Sequence, residues 1–375
     1  MVIIGAGVVG AACAYYASRA GLRVCVVDRG ALAGGTTSAG EGNILASDKV
    51  PGPELELIVR SQALWREIGA DLGGRRIELD VKGALVVAAS TSGLDDLVRL
   101  ASKQRSAGVD AIDVAADELR FYEPALATDL AGGAFYPADL QVQPMLAAAE
   151  LLAAARGRGA RVLLGAPVVA IGVRGGSVEN VRLGDGRLIE TDSIVNAAGT
   201  WSAEVAAMAH VNVPIAPRRG FILVTEPLPV AIRHKVYAAE YVSNVGSDSA
   251  ELETSAVVEG THSGTVLIGA SRERVGYDRR FDLAVLRRLA AQALALFPFL
   301  RDVHAIRAYR GFRPYSPDHL PVIGADPRVS GLYHACGHEG AGIGLAPVTA
   351  ELIVSAMTGS TPAVDPTPFR PERFA

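Results

Sequence analysis

Gly5, Gly7 and Gly10 stand at GxGxxG spacing directly after an apolar triplet, and Asp28 follows eighteen residues beyond Gly10. That arrangement suits a dinucleotide. The first glycine makes the turn, the second lets a pyrophosphate approach the backbone, and the third lets a helix pack against the strand. The N-terminus of that helix would face the phosphate charge. Asp28 ends the next apolar run, where a carboxylate can accept both hydroxyls of an adenosine ribose. Without this setting the same residues also make a plain glycine turn beside a solvated acid.

Three further groups could do chemistry. Thr36, Thr37 and Ser38 lie in a glycine-rich stretch and can donate hydroxyls to phosphate and sugar oxygens, although Thr-Thr-Ser is also ordinary turn composition. Residues 337–344 lead into an apolar helix, so several backbone N–H groups and a positive helix end can converge on one acceptor. His338 within that loop reads equally as a cap or a solvent-facing side chain. Arg313 sits in the proline-bearing loop GFRPYSPD, where a guanidinium can clamp a carboxylate through two parallel hydrogen bonds. A surface ion pair is its plainer reading. Cys336 with His338 offers only two metal ligands, so no metal is expected, and neither a GxSxG elbow nor an HExxH helix is present.

Composition narrows the field. The 375 residues hold 36 Lys and Arg against 40 Asp and Glu, a net charge of −4, which excludes a strongly basic nucleic-acid binder. With 50% hydrophobic residues the chain can build a large core of about two or three domain-sized units, and it is too apolar for intrinsic disorder. Cys13, Cys25 and Cys336 form neither a disulfide framework nor a CxxC knuckle, so a cytoplasmic location is expected. The apolar start lacks the basic segment of a signal peptide, and no uninterrupted run reaches the ~18 residues of a membrane span. Lys49, Lys82, Lys103 and Lys235 are the four lysines, leaving 32 arginines, a bias that weakens any single arginine as a signal.

The elements that must position these residues follow from periodicity. A strand at residues 2–4, a helix at 11–20 closed by Gly21 and a parallel strand at 23–27 make a βαβ unit that requires cover on both faces. Beyond residue 80 short strands at 84–89 and 133–136 surround a helix at 93–107, as in a separate layer. Pro144 opens and Gly157 closes an alanine-rich helix. A meander follows over 168–173, 178–183 and 188–191, and a buried strand at 193–196 runs into Ala197-Ala198-Gly199. From Pro217 to about Tyr309 strands return at 220–225, 254–258 and 265–268 with one helix at 283–296. The remainder reverts to the α/β pattern, with an apolar helix at 345–357.

Residues 5–10 (GAGVVG), 27–29 (VDR), 34–43 (GGTTSAGEGN), 196–201 (NAAGTW), 311–318 (GFRPYSPD) and 337–347 (GHEGAGIGLAP) appear in this order across nearly the whole chain. Together they resemble the FAD-dependent D-amino-acid oxidase superfamily, particularly its glycine and sarcosine oxidases. The resemblance implies an α/β fold: a discontinuous Rossmann-like FAD-binding domain from 1–80, 140–212 and 307–375, and a second α+β substrate domain from 81–139 and 213–306 built on a mixed or antiparallel sheet.

It also implies which residues meet a noncovalent FAD. Gly5, Gly7, Val8, Val9, Gly10, Asp28 and Arg29 belong to the nucleotide end, with Thr36, Thr37 and Ser38 beside the phosphates and ribitol. Glu41, Gly42 and Asn43 run along the isoalloxazine, and Val168, Gly199 and Trp201 are further cofactor contacts. The loop His338, Glu339, Gly340, Ala341, Gly342, Ile343 and Gly344 holds the ring where reduced flavin is negatively charged.

By the same likeness the activity is oxidation of the Cα–N bond of a small-molecule amino or imino acid to an imine, which hydrolyses to an oxo acid. Arg313, His338 and Glu41 are the candidate catalytic residues. Glycine oxidases have a second arginine where Gly340 stands and a tyrosine near Ser255, so this pocket should differ in size and polarity. Sarcosine oxidases that attach flavin covalently use a cysteine near Gly311, and none is nearby here. Residues 40–43 also resemble the flavoprotein β subunits of D-hydroxyproline dehydrogenase and hydrogen cyanide synthase. Glu41 would then meet the substrate amine, unless it is a surface turn. Two rivals stay open: an NAD(P)-linked dehydrogenase using the first βαβ unit alone, and a flavin-binding electron-relay or noncatalytic subunit of a heteromeric dehydrogenase complex. Oxidase against dehydrogenase, stereochemistry, and homo-oligomer against partner subunit are open as well.

Overall fold

In the computed structural model, which describes residues 1–229 and 231–374, the strand Val2–Ile4 lies inside a six-stranded sheet. The order is Val322–Ala325, Leu332–Cys336, Ile194–Asn196, Val2–Ile4, Cys25–Val27 and Arg161–Leu163. Every neighbouring pair is parallel except the first. Side chains alternate across a strand, so such a sheet needs two covers. Ile3, Val26 and Val195 point into a helical layer, whereas Val2, Ile4, Val27 and Ile194 join a core with the three-stranded meander Val168–Arg174, Ser177–Leu183 and Leu188–Glu190.

The helical layer comprises Val8–Arg19, Pro53–Leu72, Pro144–Gly157 and Gly342–Thr358. Small residues bring the first of these close to the sheet. A Cβ on Gly10 would collide with the Gly5 carbonyl. The helix Pro53–Leu72 is absent from the elements expected above, because Glu54, Glu56, Arg60, Arg66 and Glu67 interrupt its apolar pattern and only one stripe, including Leu57, Leu64, Trp65 and Ile68, is buried. The last helix begins at Gly342 rather than near residue 345, so it includes part of the glycine-rich loop.

The larger sheet has eight strands, in the order Ala305–Tyr315, Ala216–Thr225, Val266–Arg272, Glu253–Gly260, Lys235–Ala238, Ala84–Ala88, Gly132–Tyr136 and Ile112–Ala115. It is mixed, with Lys235–Ala238 parallel to Ala84–Ala88 and the other neighbours antiparallel. Leu85, Val87, Phe221, Val236 and Val258 face the helix Leu283–Leu296. Ala84, Val86, Tyr136, Tyr237 and Val257 face the other way and share a core with the first sheet's helices. This second face is where the two halves meet.

Ala305–Tyr315 crosses the boundary expected at 306/307. Its pairing with Ala216–Thr225 continues from end to end, so hydrogen bonding places residues 307–315 in the larger sheet and moves the change of layer beyond Tyr315. The expected ranges also include Val230 and Ala375, which lie outside the described residues. Among the described residues no helix is long and apolar enough to cross a membrane.

Candidate active site

A cleft of about 400 Å³ runs along the meeting of the two sheets, within the range of ~300–1,000 Å³ common for small-molecule sites. At one end Gly5 adopts φ +118°, and a Cβ there would strike the Ala197 carbonyl. Asp28 holds both borders of this end: Oδ2 accepts the Ala6 N–H at 2.7 Å and Oδ1 the Gly30 N–H at 2.7 Å. Each carboxylate oxygen keeps a lone pair for a ligand hydroxyl.

The three hydroxyls expected at the phosphates are used differently. Thr37 Oγ1 accepts the Val8 N–H at 3.0 Å and keeps its own hydrogen to donate. Thr36 Oγ1 donates to the Phe312 carbonyl at 2.7 Å, tying this turn to the larger sheet. Ser38 is exposed and donates to the Gly35 carbonyl at 3.1 Å. Arg29 lies 3.9 Å over the Trp201 ring, which stacks on Tyr277 at 5.6 Å and 3°. Gly7, Val8, Val9, Val168 and Gly199 line the cleft with them.

The opposite wall is the start of Gly342–Thr358. Pro347 has no N–H for the Ile343 carbonyl. Trp65 supplies one, its Nε1 reaching the Ile343 and Gly344 carbonyls at 3.1 Å each, and Ser61 Oγ donates to Gly344 at 2.6 Å. The helix start is thus fixed from behind, with no side-chain cap at Ala341. His338, Glu339, Gly340, Gly342 and Ile343 line the cleft, whereas Gly10, Ser38, Ala341 and Gly344 are outside its lining.

His338 is buried rather than solvent-facing, with Nε2 2.8 Å from Thr349 Oγ1. Burial pushes its pKa down to about 3, which favours the neutral ring where it lines the cleft. Glu339 lines the cleft while its carboxylate is engaged. Its carboxylate turns to Arg218 Nη1 at 2.6 Å and His319 Nδ1 at 3.1 Å, from a residue at φ +47°.

Between the walls lie Glu41, Gly42, Asn43, Tyr241 and Arg313. Glu41 is no surface turn, being 8% exposed. Its Oε2 accepts from Asn43 Nδ2 at 3.0 Å and lies 3.5 Å from Lys235 Nζ, while its buried Oε1 has no hydrogen-bond partner. Gly42, at φ +110°, brings the backbone against the Val142 carbonyl, a position no Cβ could share. Arg313 Nη1 donates to the Ser271 carbonyl at 2.8 Å, and among the described residues no carboxylate lies within 4.0 Å of this guanidinium. Burial and the charge of Arg272 both lower its pKa, yet the group stays cationic. A Cβ on Gly220 would collide with Arg313, and one on Gly269 with Glu41, so both strands are bare where these side chains lie.

At Gly340 a Cβ would sit 3.7 Å from Arg313 Nε, which leaves room beside the guanidinium. Ser255 accepts from Asn244 Nδ2 at 2.6 Å, and it is Tyr241 that brings a phenol to the cleft. Sequence reasoning missed Tyr241, Lys235 and Arg272. For Lys235 a signal existed, since lysine is scarce in this chain and burial of one marks a chosen cation.

The residues present fit a flavin dinucleotide. Glycines 5, 7, 34, 35, 40 and 42 leave an open backbone cradle, the starts of Val8–Arg19 and Gly342–Thr358 adjoin it, and Glu41 Oε1 is an orphaned acceptor on its wall.

Comparison with known proteins agrees. Residues 1–356 match the family model "DAO: FAD dependent oxidoreductase". The chain is 28% identical to hydrogen cyanide synthase subunit HcnC of Pseudomonas aeruginosa, covering 100% of this chain and 96% of that one. It is also 28% identical to a glycine oxidase of Geobacillus kaustophilus, covering 98% and 95%. The crystal structure of glycine oxidase from Geobacillus kaustophilus superposes with a TM-score of 0.89 at 26% identity, over 98% of this chain and 97% of that chain. FAD dependence sets aside the NAD(P)-linked rival. The chain belongs to the DAO family of FAD-dependent oxidoreductases.

Proposed function

We propose that the protein oxidises the Cα–N bond of a small amino or imino acid to an imine, which water hydrolyses to an oxo acid and ammonia or an amine. The observation that carries this reading is Arg313, a cleft-lining guanidinium with one backbone hydrogen bond and no carboxylate partner among the described residues. A substrate carboxylate completes its fork through two charge-assisted bonds. FAD, when bound, supplies the electron acceptor for the chemistry. Arg313 fixes the acid end, and Glu41, anchored by Lys235 and Asn43, places negative charge toward the amine end. Held at both ends, the α-carbon has one orientation, and alignment is the main demand of such a reaction. Gly42 and the N-terminal turn of Gly342–Thr358 hold the ring side of the cleft.

The likeness to a protein named as a subunit favours one second reading, in which this chain binds flavin within a heteromeric complex and substrate chemistry belongs elsewhere. Absorbance of purified protein, followed by anaerobic titration with D-, L- and N-substituted amino acids, separates the two. Bleaching of the yellow colour by one of them supports the proposal. Yellow protein that no amino or imino acid bleaches would overturn it in favour of the subunit reading.

A further inference from the structure

Arg272, near Arg313, has no carboxylate within 4.0 Å among the described residues. It is only 4% exposed. Its Nη1 donates to the Asn244 carbonyl at 2.7 Å, and its guanidinium lies 5.1 Å from the centre of the Tyr241 ring, a wall of the cleft. No other hydrogen bond engages its fork among the described residues.

The acids that could neutralise it are committed elsewhere. Glu253 stands directly opposite Arg272 across the strand pair, where an ion pair would be natural, yet its carboxylate goes to Arg218 at 3.1 Å. Glu273 pairs with Arg219 at 2.8 Å, and Glu339 with Arg218 and His319. Arg313 is in the same condition, and its Nη1 rests on the carbonyl of Ser271, the residue before Arg272. Two guanidiniums with no carboxylate within 4.0 Å among the described residues therefore approach the same stretch of strand, Arg313 by its tip and Arg272 from its own backbone, with Tyr241 between Arg272 and the cleft. A buried cation without a counter-ion is costly, and a monocarboxylate substrate would satisfy only one of the two.

We propose that Arg272 and Tyr241 form a second anion subsite beside Arg313, so that the preferred substrate is an amino or imino acid carrying two carboxylates. The vacancy at Gly340 leaves space for the longer molecule, since a Cβ there would only touch Arg313 at 3.7 Å. This inference rests on the amine-oxidation reading.

The test titrates the holoenzyme, at fixed ionic strength, with thiodiacetate and with methylthioacetate, followed through the flavin absorbance. Both carry sulfur in place of the oxidisable nitrogen, and they differ by one carboxylate. Thiodiacetate should bind at least ~10-fold more tightly, the weight of one charge-assisted pair. Arg272→Gln should bring the ratio of the two dissociation constants to about one, with Arg272→Lys in between. The ratio cancels any general loosening of the variant. Equal affinities in the wild type, or a ratio unchanged in Arg272→Gln, would overturn the second subsite while leaving Arg313 as a carboxylate site. No response to either ligand in an enzyme that an amino or imino acid bleaches would overturn the second subsite alone, whereas an enzyme that none bleaches would overturn the amine-oxidation reading, and this inference with it.

Discussion

Lys235 Nζ lies 3.5 Å from Glu41 Oε2 across the seam between the two sheets, and both side chains are buried. The same ammonium lies 2.8 Å from Glu259 Oε2. Burial disfavours its charge, but Glu259 and Glu41 outweigh burial and hold its pKa above the usual lysine value. One cation thus serves two buried acids. Lys235→Met should destabilise the fold by about 3–5 kcal/mol, read by urea unfolding, because both carboxylates lose their ion-pair partner. Lys235→Met with Glu259→Gln should recover part of that loss. No recovery would assign the effect to packing rather than charge.

Arg313→Ala should lower kcat/KM at least ~10-fold while flavin stays bound, since a charge-assisted pair contributes ~1.5–3 kcal/mol. Steady-state kinetics and the absorbance of the purified variant measure the two quantities separately. Arg313→Lys keeps the charge but not the planar fork, so it should restore only part of the activity. Wild-type kinetics in Arg313→Ala would remove this residue from the site.

The contrast between Asp28 and Arg272 explains how much was legible beforehand. Asp28, the glycines and the Thr37 turn meet through contacts within the first 37 residues, so their spacing makes them candidates before any fold is known. Arg272 and Lys235 come beside the cleft-lining Tyr241 and Glu41 only through pairing in the eight-stranded sheet, and no local pattern encodes which strand lies beside which. Glu339 is only half legible. Its place in the glycine-rich loop suggests a cofactor contact, and it does line the cleft, but what its sequence position hides is that Arg218, distant in sequence, holds the carboxylate. Fold class survives such errors because the parallel sheet's apolar runs and the meander's alternation are local signals. The boundary at Ala305–Tyr315 does not, since strand pairing sets it.

Asp28→Ala removes the acceptor from both Ala6 N–H and Gly30 N–H, the two amides that border the nucleotide end of the cleft. The loop should loosen and the ribose acceptor vanish together. The variant is expected to bind FAD at least ~10-fold more weakly, because a hydrogen bond to a charged group contributes ~1.5–3 kcal/mol. Flavin quenching titrations of apoprotein measure this. Undiminished affinity would mean that the glycine turn and Thr37 hold the nucleotide without the acid.

His319 links the glycine-rich loop to the edge of the substrate side, with Nδ1 3.1 Å from Glu339 Oε2 and Nε2 3.1 Å from Asp248 Oδ1. The hydrogen bond that His319 donates to the Glu339 carboxylate is the main cause of its raised pKa, and burial opposes it. A pKa raised by folding means that the imidazolium's stabilisation is complete below the ordinary value of 6.5 and is lost as pH climbs through the raised value. The gap in melting temperature between wild type and His319→Gln should therefore be widest near about pH 6 and shrink toward alkaline pH. Glu339 stays paired with Arg218 throughout, so the loop should not detach but lose only this second tether. A gap that stays constant or widens with rising pH would show that His319 contributes as a neutral ring, through packing on Tyr315.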